Sequence, residues 1–141
     1  MIEIRHVEAT DEAFWFTLDQ HLPLSEFKRK VNEKSGYVIL IDHKPIGILR
    51  YNLFWDEIPF CNLLMITKDF QNKGYGTALM QHFEEEMREK GYEFVMTSSR
   101  SDEHAQHFYR QLGYHDCGSI IFQHLHQQPT ELLFMKALQA S

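Results

Sequence analysis

Gln71-Asn72-Lys73-Gly74-Tyr75-Gly76 follows an apolar run, Phe60 to Thr67, and leads into a stretch where Leu79, Phe83 and Met87 recur every fourth residue, with Met80 widening the stripe. Strand, glycine-bearing loop and amphipathic helix in that order make an anion site. The first backbone N–H groups of a helix have no intrahelical partner and point at whatever lies before the helix. Gly74 and Gly76 let a ligand approach the backbone and tolerate positive φ, while Lys73 adds charge. A short Gly-x-Gly is also compatible with a plain helix start. Two other phosphate loops are excluded by their own chemistry. The Walker loop needs Gly-Lys-Ser/Thr where this chain has Gly74-Tyr75-Gly76-Thr77, and the dinucleotide loop needs a third glycine where Leu79 stands.

Working outward, the helix from Thr77 stops at Gly91, with Glu84, Glu85, Glu86 and Arg88 predicted on its solvated face. Before the loop, Ile2 to Arg5 alternates like a short strand, and Phe14, Trp15 and Leu18 have helical spacing between Asp11 and Asp19. Ser25 can cap a second helix that Gly36 would end in the left-handed conformation. Tyr37 to Ile41 and Ile46 to Phe54 read as a hairpin about His43-Lys44-Pro45, and Asp56 to Pro59 separates it from the next strand. After the long helix, Glu93 to Ser98 reads as a central strand. Ser101 or Asp102 caps a last helix ended by Gly113, and strands near Tyr114 to Phe122 and Glu131 to Leu138 close the chain. The pattern predicts one mixed α/β domain over residues 1–141 with no internal repeat.

At 141 residues the chain can bury roughly two-thirds of its unfolded surface. Its 43% hydrophobic and 24% charged residues are those of a globular protein. A net charge of −6 argues against a nucleic-acid partner, since phosphate backbones need a surplus of Lys and Arg, and favours a neutral or cationic small substrate. Cys61 and Cys117 lack Cys-x-x-Cys spacing and read as reduced thiols. With no apolar run of membrane-span length and no signal-like start, the expected location is cytoplasmic, away from membranes. Among nine histidines, His104 with His107 and His124 with His126 have pairwise spacing, but no third ligand stands at zinc-site distance, so no metal is expected.

The loop residues Gln71 to Gly76 resemble the Arg/Gln-x-x-Gly-x-Gly/Ala motif of the GNAT superfamily of N-acetyltransferases. Ala105-Gln106-His107-Phe108-Tyr109-Arg110-Gln111-Leu112-Gly113-Tyr114 resembles a second motif of that family, with Tyr114 in place of its terminal phenylalanine. The resemblance implies a central, mostly antiparallel sheet with helices on both faces, and acetyl-CoA as cosubstrate without a metal. It implies that backbone of Leu64, Met65 and Ile66 binds pantetheine where this strand parts from Glu93 to Ser98. Gln71, Asn72, Lys73, Gly74, Tyr75, Gly76 and Thr77 would surround the pyrophosphate. Tyr109 would stand near the CoA sulfur as general acid; its alternative is a core aromatic with a polar tip. The family has asparagine where this chain has Asp102, so either a cofactor contact there differs from the family's or Asp102 serves only as a helix cap, the favoured reading.

The resemblance does not identify a base. Asp56 and Glu57 are candidates as base or water-orienting groups, with Asn62 beside them, and the alternative is solvated turn carboxylates. Tyr51, Phe54, Trp55 and Phe60 are candidates for the acceptor wall, or else hairpin core. The reading is acetyl transfer to a primary amine of a small acceptor, cationic or neutral, by a chain that could pair as a homodimer. The alternatives are a non-catalytic acyl-CoA-binding module, or a protein-interaction domain using the aromatic hairpin.

Overall fold

Runs that alternate or stay apolar over five to eleven residues become strands, and runs of period 3.6 become helices, in the computed structural model of the chain, which describes residues 1–122 and 128–139. The strands are β1 (Ile2–His6), β2 (Gly36–Ile41), β3 (Lys44–Phe54), β4 (Ile58–Ile66), β5 (Phe94–Arg100), β6 (His115–Ile120) and β7 (Glu131–Ala137). The helices are α1 (Glu12–Leu18), α2 (Leu24–Glu33), α3 (Tyr75–Glu89) and α4 (Ala105–Gln111). The seven strands form a mixed sheet in the order β1-β2-β3-β4-β5-β7-β6. Pairing is antiparallel for β1 with β2, β2 with β3, and β7 with both β5 and β6, while β4 and β5 are parallel through Phe60↔Met96 and Cys61↔Thr97.

The chain forms two compact units. The first comprises Met1–Asn52 and Asn62–Glu86. In it α1 and α2 cover one sheet face, where Val7, Trp15, Phe27, Val38, Leu40 and Ile48 make a closed cluster. Side chains alternate along a strand, so Tyr37 faces the other way and meets α3, its ring 5.3 Å from that of His82. Tyr51 lies 5.2 Å from Phe83 on the same helix. The second unit comprises Leu53–Cys61 and Met87–Ser141. Here α4 packs on β5, with the ring of Tyr109 6.1 Å from Phe134 and 5.9 Å from Tyr114.

Several local expectations are corrected. Residue Lys34, at φ 56°, takes the left-handed position that closes α2, and Gly36 lies in β2. Its lack of a side chain serves packing, because a Cβ there would stand 3.0 Å from Val7 and 3.2 Å from Trp15. The β2–β3 turn is made by Asp42 and His43, both left-handed at φ 48° and 69°, and Lys44 and Pro45 already belong to β3. The acidic run of α3 is not a uniform solvated face. Glu84 is 4% exposed, and Glu86 accepts from the Tyr37 hydroxyl and lies 2.9 Å from His6 Nε2. Gly91 at φ 90° and Gly113 at φ 95° lie just past the ends of α3 and α4, as expected.

Candidate functional site

Strand β4 ends as the Thr67 N–H donates to the Ile46 carbonyl at 2.8 Å, and a 3-10 turn over Lys68–Phe70 then carries the chain into the glycine loop. Asn72 and Gly74 are both left-handed, at φ 60° and 89°. Asparagine tolerates that region better than other side chains, and glycine adopts it freely. A Cβ at Gly74 would meet nothing within 4 Å, so the loop there opens onto free space. Helix α3 begins at Tyr75 and its first bond runs from the Ala78 N–H to the Gly74 carbonyl at 3.1 Å. The N–H groups of Tyr75, Gly76 and Thr77 therefore precede the helical ladder and are placed to meet an anion.

Gln71 Nε2 donates to the Ile66 carbonyl at 2.9 Å, so its side chain ties the loop to the strand end. Lys73 Nζ lies 5.7 Å from the Phe70 ring centroid, and Lys44 Nζ 5.8 Å from it. Beside them lies a cavity of about 320 Å³ lined in part by Phe14, Lys44, Thr67 and Lys68. Free amides, nearby lysines and a glycine with open space above it fit a diphosphate.

Leu64, Met65 and Ile66 are half-buried. The Met65 side chain packs on the cluster under α1 and α2, and a Cβ on Gly47 would stand 2.5 Å from Ile66 Cδ1 and 3.0 Å from the Met65 carbonyl oxygen. Only glycine on β3 lets these residues of β4 lie so close.

In the second unit Tyr109 is 6% exposed. Burial pushes its phenol well above the ordinary tyrosine range, the nearby Cys61 thiol would add to this if ionised, and the proximity of the Thr97 hydroxyl opposes it. Tyr109 is therefore neutral and a proton donor across the physiological range. Thr97, 1% exposed, donates from Oγ1 to the Cys61 carbonyl at 3.0 Å. Sequence reasoning missed Thr97, although the hydroxyl that follows Phe94, Val95 and Met96 in a buried strand is a usable signal.

Asp102 does not cap α4. It holds Arg100 through two bonds, at 3.2 Å from Nε and 3.0 Å from Nη2, and the helix starts later, at Ala105. Asp56 and Glu57 are exposed at the β3–β4 turn, which the Glu57 N–H closes on the Phe54 carbonyl at 3.0 Å. Trp55 and Asp56 are left-handed there, and Trp55 is 77% exposed with its ring 4.7 Å from Phe54. Phe60 is buried and 6.0 Å from Phe54. Tyr51 and Asn62 belong to the first unit: Tyr51 is packed between Tyr37 and Phe83, and Asn62 Nδ2 donates to Asn52 Oδ1 at 2.7 Å. His104 and His107 have ring centroids 6.1 Å apart, and among the described residues no three His, Cys, Asp or Glu side chains gather as a metal site. His124 and His126 lie outside the described residues. Among the described residues no helix is long and apolar enough to cross a membrane.

The acetyltransferase (GNAT) family matches residues 3–114. Protein YxbD of Bacillus subtilis (strain 168) is 33% identical over 85 residues, 59% of this chain and 52% of that protein, so the chain matches about half of its curated relative's length. Among solved structures, Ard1 from Thermoplasma volcanium superposes with a TM-score of 0.85 at 17% identity, over 98% of both chains. An acetyltransferase of the same family from Elizabethkingia anophelis, solved with acetyl-CoA bound, superposes with a TM-score of 0.77 at 16% identity, over 97% of this chain and 98% of that one. Such identities speak for the fold.

Proposed function

The chain belongs to the GNAT acetyltransferase family, and on that premise we propose that it moves the acetyl group of acetyl-CoA to a primary amine of a small acceptor. The observation that carries the cofactor assignment is the start of α3, where the amides of Tyr75, Gly76 and Thr77 precede the helical ladder behind a left-handed Gly74. They would hold the pyrophosphate, with Lys73 supplying charge. Backbone of Leu64, Met65 and Ile66 would hold the pantetheine arm, and one of its N–H groups would stabilise the oxyanion.

In the reaction the amine nitrogen attacks the thioester carbonyl, a C–N bond forms, and the C–S bond breaks from the tetrahedral intermediate. The proton of the Tyr109 hydroxyl passes to the departing sulfur, and the amine sheds its proton to a water molecule. The net charge of −6 favours a cationic acceptor. Asp56 and Glu57, exposed at their turn, are the carboxylates proposed to take up that proton through water.

The test has two parts. Calorimetry with acetyl-CoA should show one binding site, and thiol release should follow with at least one member of an amine panel spanning polyamines, amino acids and free-N-terminal peptides. Tyr109→Phe should keep acetyl-CoA affinity and lose turnover by about a hundredfold. Absence of both binding and thiol release refutes the assignment; unchanged turnover in Tyr109→Phe removes Tyr109 from the mechanism.

A further inference from the structure

A buried phenol is a poor acid. The ordinary thiol titrates near about 8.5, below even an unperturbed tyrosine, so proton transfer from Tyr109 to a thiolate runs uphill unless the phenolate is stabilised as it forms. Among the described residues, Thr97 carries a hydroxyl suited to that task. The register of the sheet sets Cys61 opposite Thr97 on β4 and β5, and Thr97 opposite Phe134 on β5 and β7. Directly opposed residues direct their side chains to the same face, and the Tyr109 ring lies 6.1 Å from that of Phe134, which places the phenol on the sheet face that carries the Thr97 side chain.

We propose that Thr97 is a positioning residue for the acid step: its hydroxyl donates to the Cys61 carbonyl at rest and turns to the Tyr109 oxygen as that phenol gives up its proton. The inference rests on the reading of Tyr109 as the acid. A hydroxyl has one proton and two lone pairs. With that proton on the Cys61 carbonyl, Thr97 offers neutral Tyr109 only a lone pair. When the Tyr109 O–H bond breaks and the S–H bond of CoA forms, negative charge moves from sulfur to the phenolate oxygen. Rotation about the Thr97 C–O bond then exchanges a neutral hydrogen bond for a charge-assisted one, which is roughly twice as strong. Thr97 keeps its own proton throughout, and a proton from solvent later restores Tyr109. A Thr97 proton turned to Tyr109 would act in the same direction as the downward influence that Thr97 exerts on this phenol against burial.

CoA itself is the probe, and no acceptor is needed. The thiol of bound CoA is titrated by its thiolate ultraviolet absorbance in the wild type, Tyr109→Phe, Thr97→Val, Thr97→Ser and the Thr97→Val/Tyr109→Phe double variant. A Tyr109 O–H bond to the thiolate lowers the thiol pKa; that bond shifts negative charge onto the Tyr109 oxygen, which draws the Thr97 proton over from the Cys61 carbonyl and strengthens the bond cooperatively. At fixed pH the thiolate fraction should fall about tenfold in Tyr109→Phe and about threefold in Thr97→Val, one pKa unit being tenfold. Thr97→Ser should restore it, and the double variant should match Tyr109→Phe alone. Thr97→Ala, which empties the site instead of filling it, should give the same ordering and serves if the valine is not accommodated. An unchanged pKa in Thr97→Val, or the same fold-loss with and without Tyr109, overturns the role of Thr97 while leaving Tyr109 as acid. If Tyr109→Phe changes nothing, or CoA titrates as the free thiol in every form, the acid reading itself fails and Thr97 with it.

Discussion

Gly47→Ala tests the packing and the cofactor assignment together. The added methyl would stand 2.5 Å from Ile66 Cδ1, 2.9 Å from Ile39 Cγ2 and 3.0 Å from the Met65 carbonyl oxygen. The first is the end of a flexible side chain and can swing away. Ile39 is β-branched and stiff at χ1, and the third atom is backbone, so relief must come from β4 moving outward by a few tenths of an ångström. Overpacking of this kind costs about 1–3 kcal/mol. Reduced freedom of the unfolded chain returns about 0.4–1 kcal/mol of it, which leaves roughly 1–2 kcal/mol of net destabilisation. An unfolding entropy of about 2.1 cal/mol/K per residue over 141 residues converts that to a fall in Tm of about 3–7 °C. Calorimetric melting reads it, with Gly118→Ala as the control, because a Cβ there meets only Leu133 at an ordinary 3.8 Å. The displaced backbone is that of Met65 and Ile66, the proposed pantetheine contact. Acetyl-CoA affinity, measured well below Tm, should therefore weaken about fivefold, the worth of one hydrogen bond. A Tm equal to wild type with unchanged affinity would refute the close approach of β3 and β4. A lowered Tm with unchanged affinity would refute the role of Met65 and Ile66 alone.

Two further perturbations report on the first unit. Glu86→Gln replaces the carboxylate that accepts from Tyr37 and holds His6, and urea unfolding at neutral pH should show a loss of about 1.5–3 kcal/mol, the range for hydrogen bonds to a charged group. Asp11 accepts from Arg5 at 2.8 and 2.9 Å and from the Glu8 N–H at 2.7 Å. Burial pushes its carboxyl up, but these bonds and the Arg5 charge outweigh burial and hold it below 3.8, the ordinary aspartate value. The folded pKa being the lower one, the contribution is complete above the ordinary value and disappears as pH falls through the folded pKa. Asp11→Asn should therefore be less stable than wild type at pH 7, and the gap should close in acid unfolding titrations below about pH 3.8.

The parts of the fold that were legible in the sequence are those that local chemistry decides. Leu79, Phe83 and Met87 declare α3 by spacing alone, and each is fully buried. Gly91 and Gly113 stop helices because positive φ is a local demand. What escaped sequence reasoning depends on partners far along the chain. Glu84 and Glu86 look like any acidic helix face until β1 and β2 bring His6 and Tyr37 to α3. Gly36 looks like a helix stop until Trp15 and Val7 close over it. The placement of β7 between β5 and β6 is a crossover that no local pattern encodes. Within the candidate site, the loop was readable from its glycines, whereas the use of Gln71 as a brace and of Asp102 as an Arg100 partner required coordinates.

A rod lying on a sheet can roll about its own axis unless something stops it. For α3 the stop is Glu86, about three turns along from Tyr75, gripped by donors from two neighbouring strands. Rolling the helix by even part of a turn would tear that carboxylate from Tyr37 and His6. The azimuth of the whole rod is thereby set, and with it the direction in which the amides of Tyr75, Gly76 and Thr77 point. The aim of the proposed anion cradle is thus governed from about 16 Å away, toward the far end of the helix.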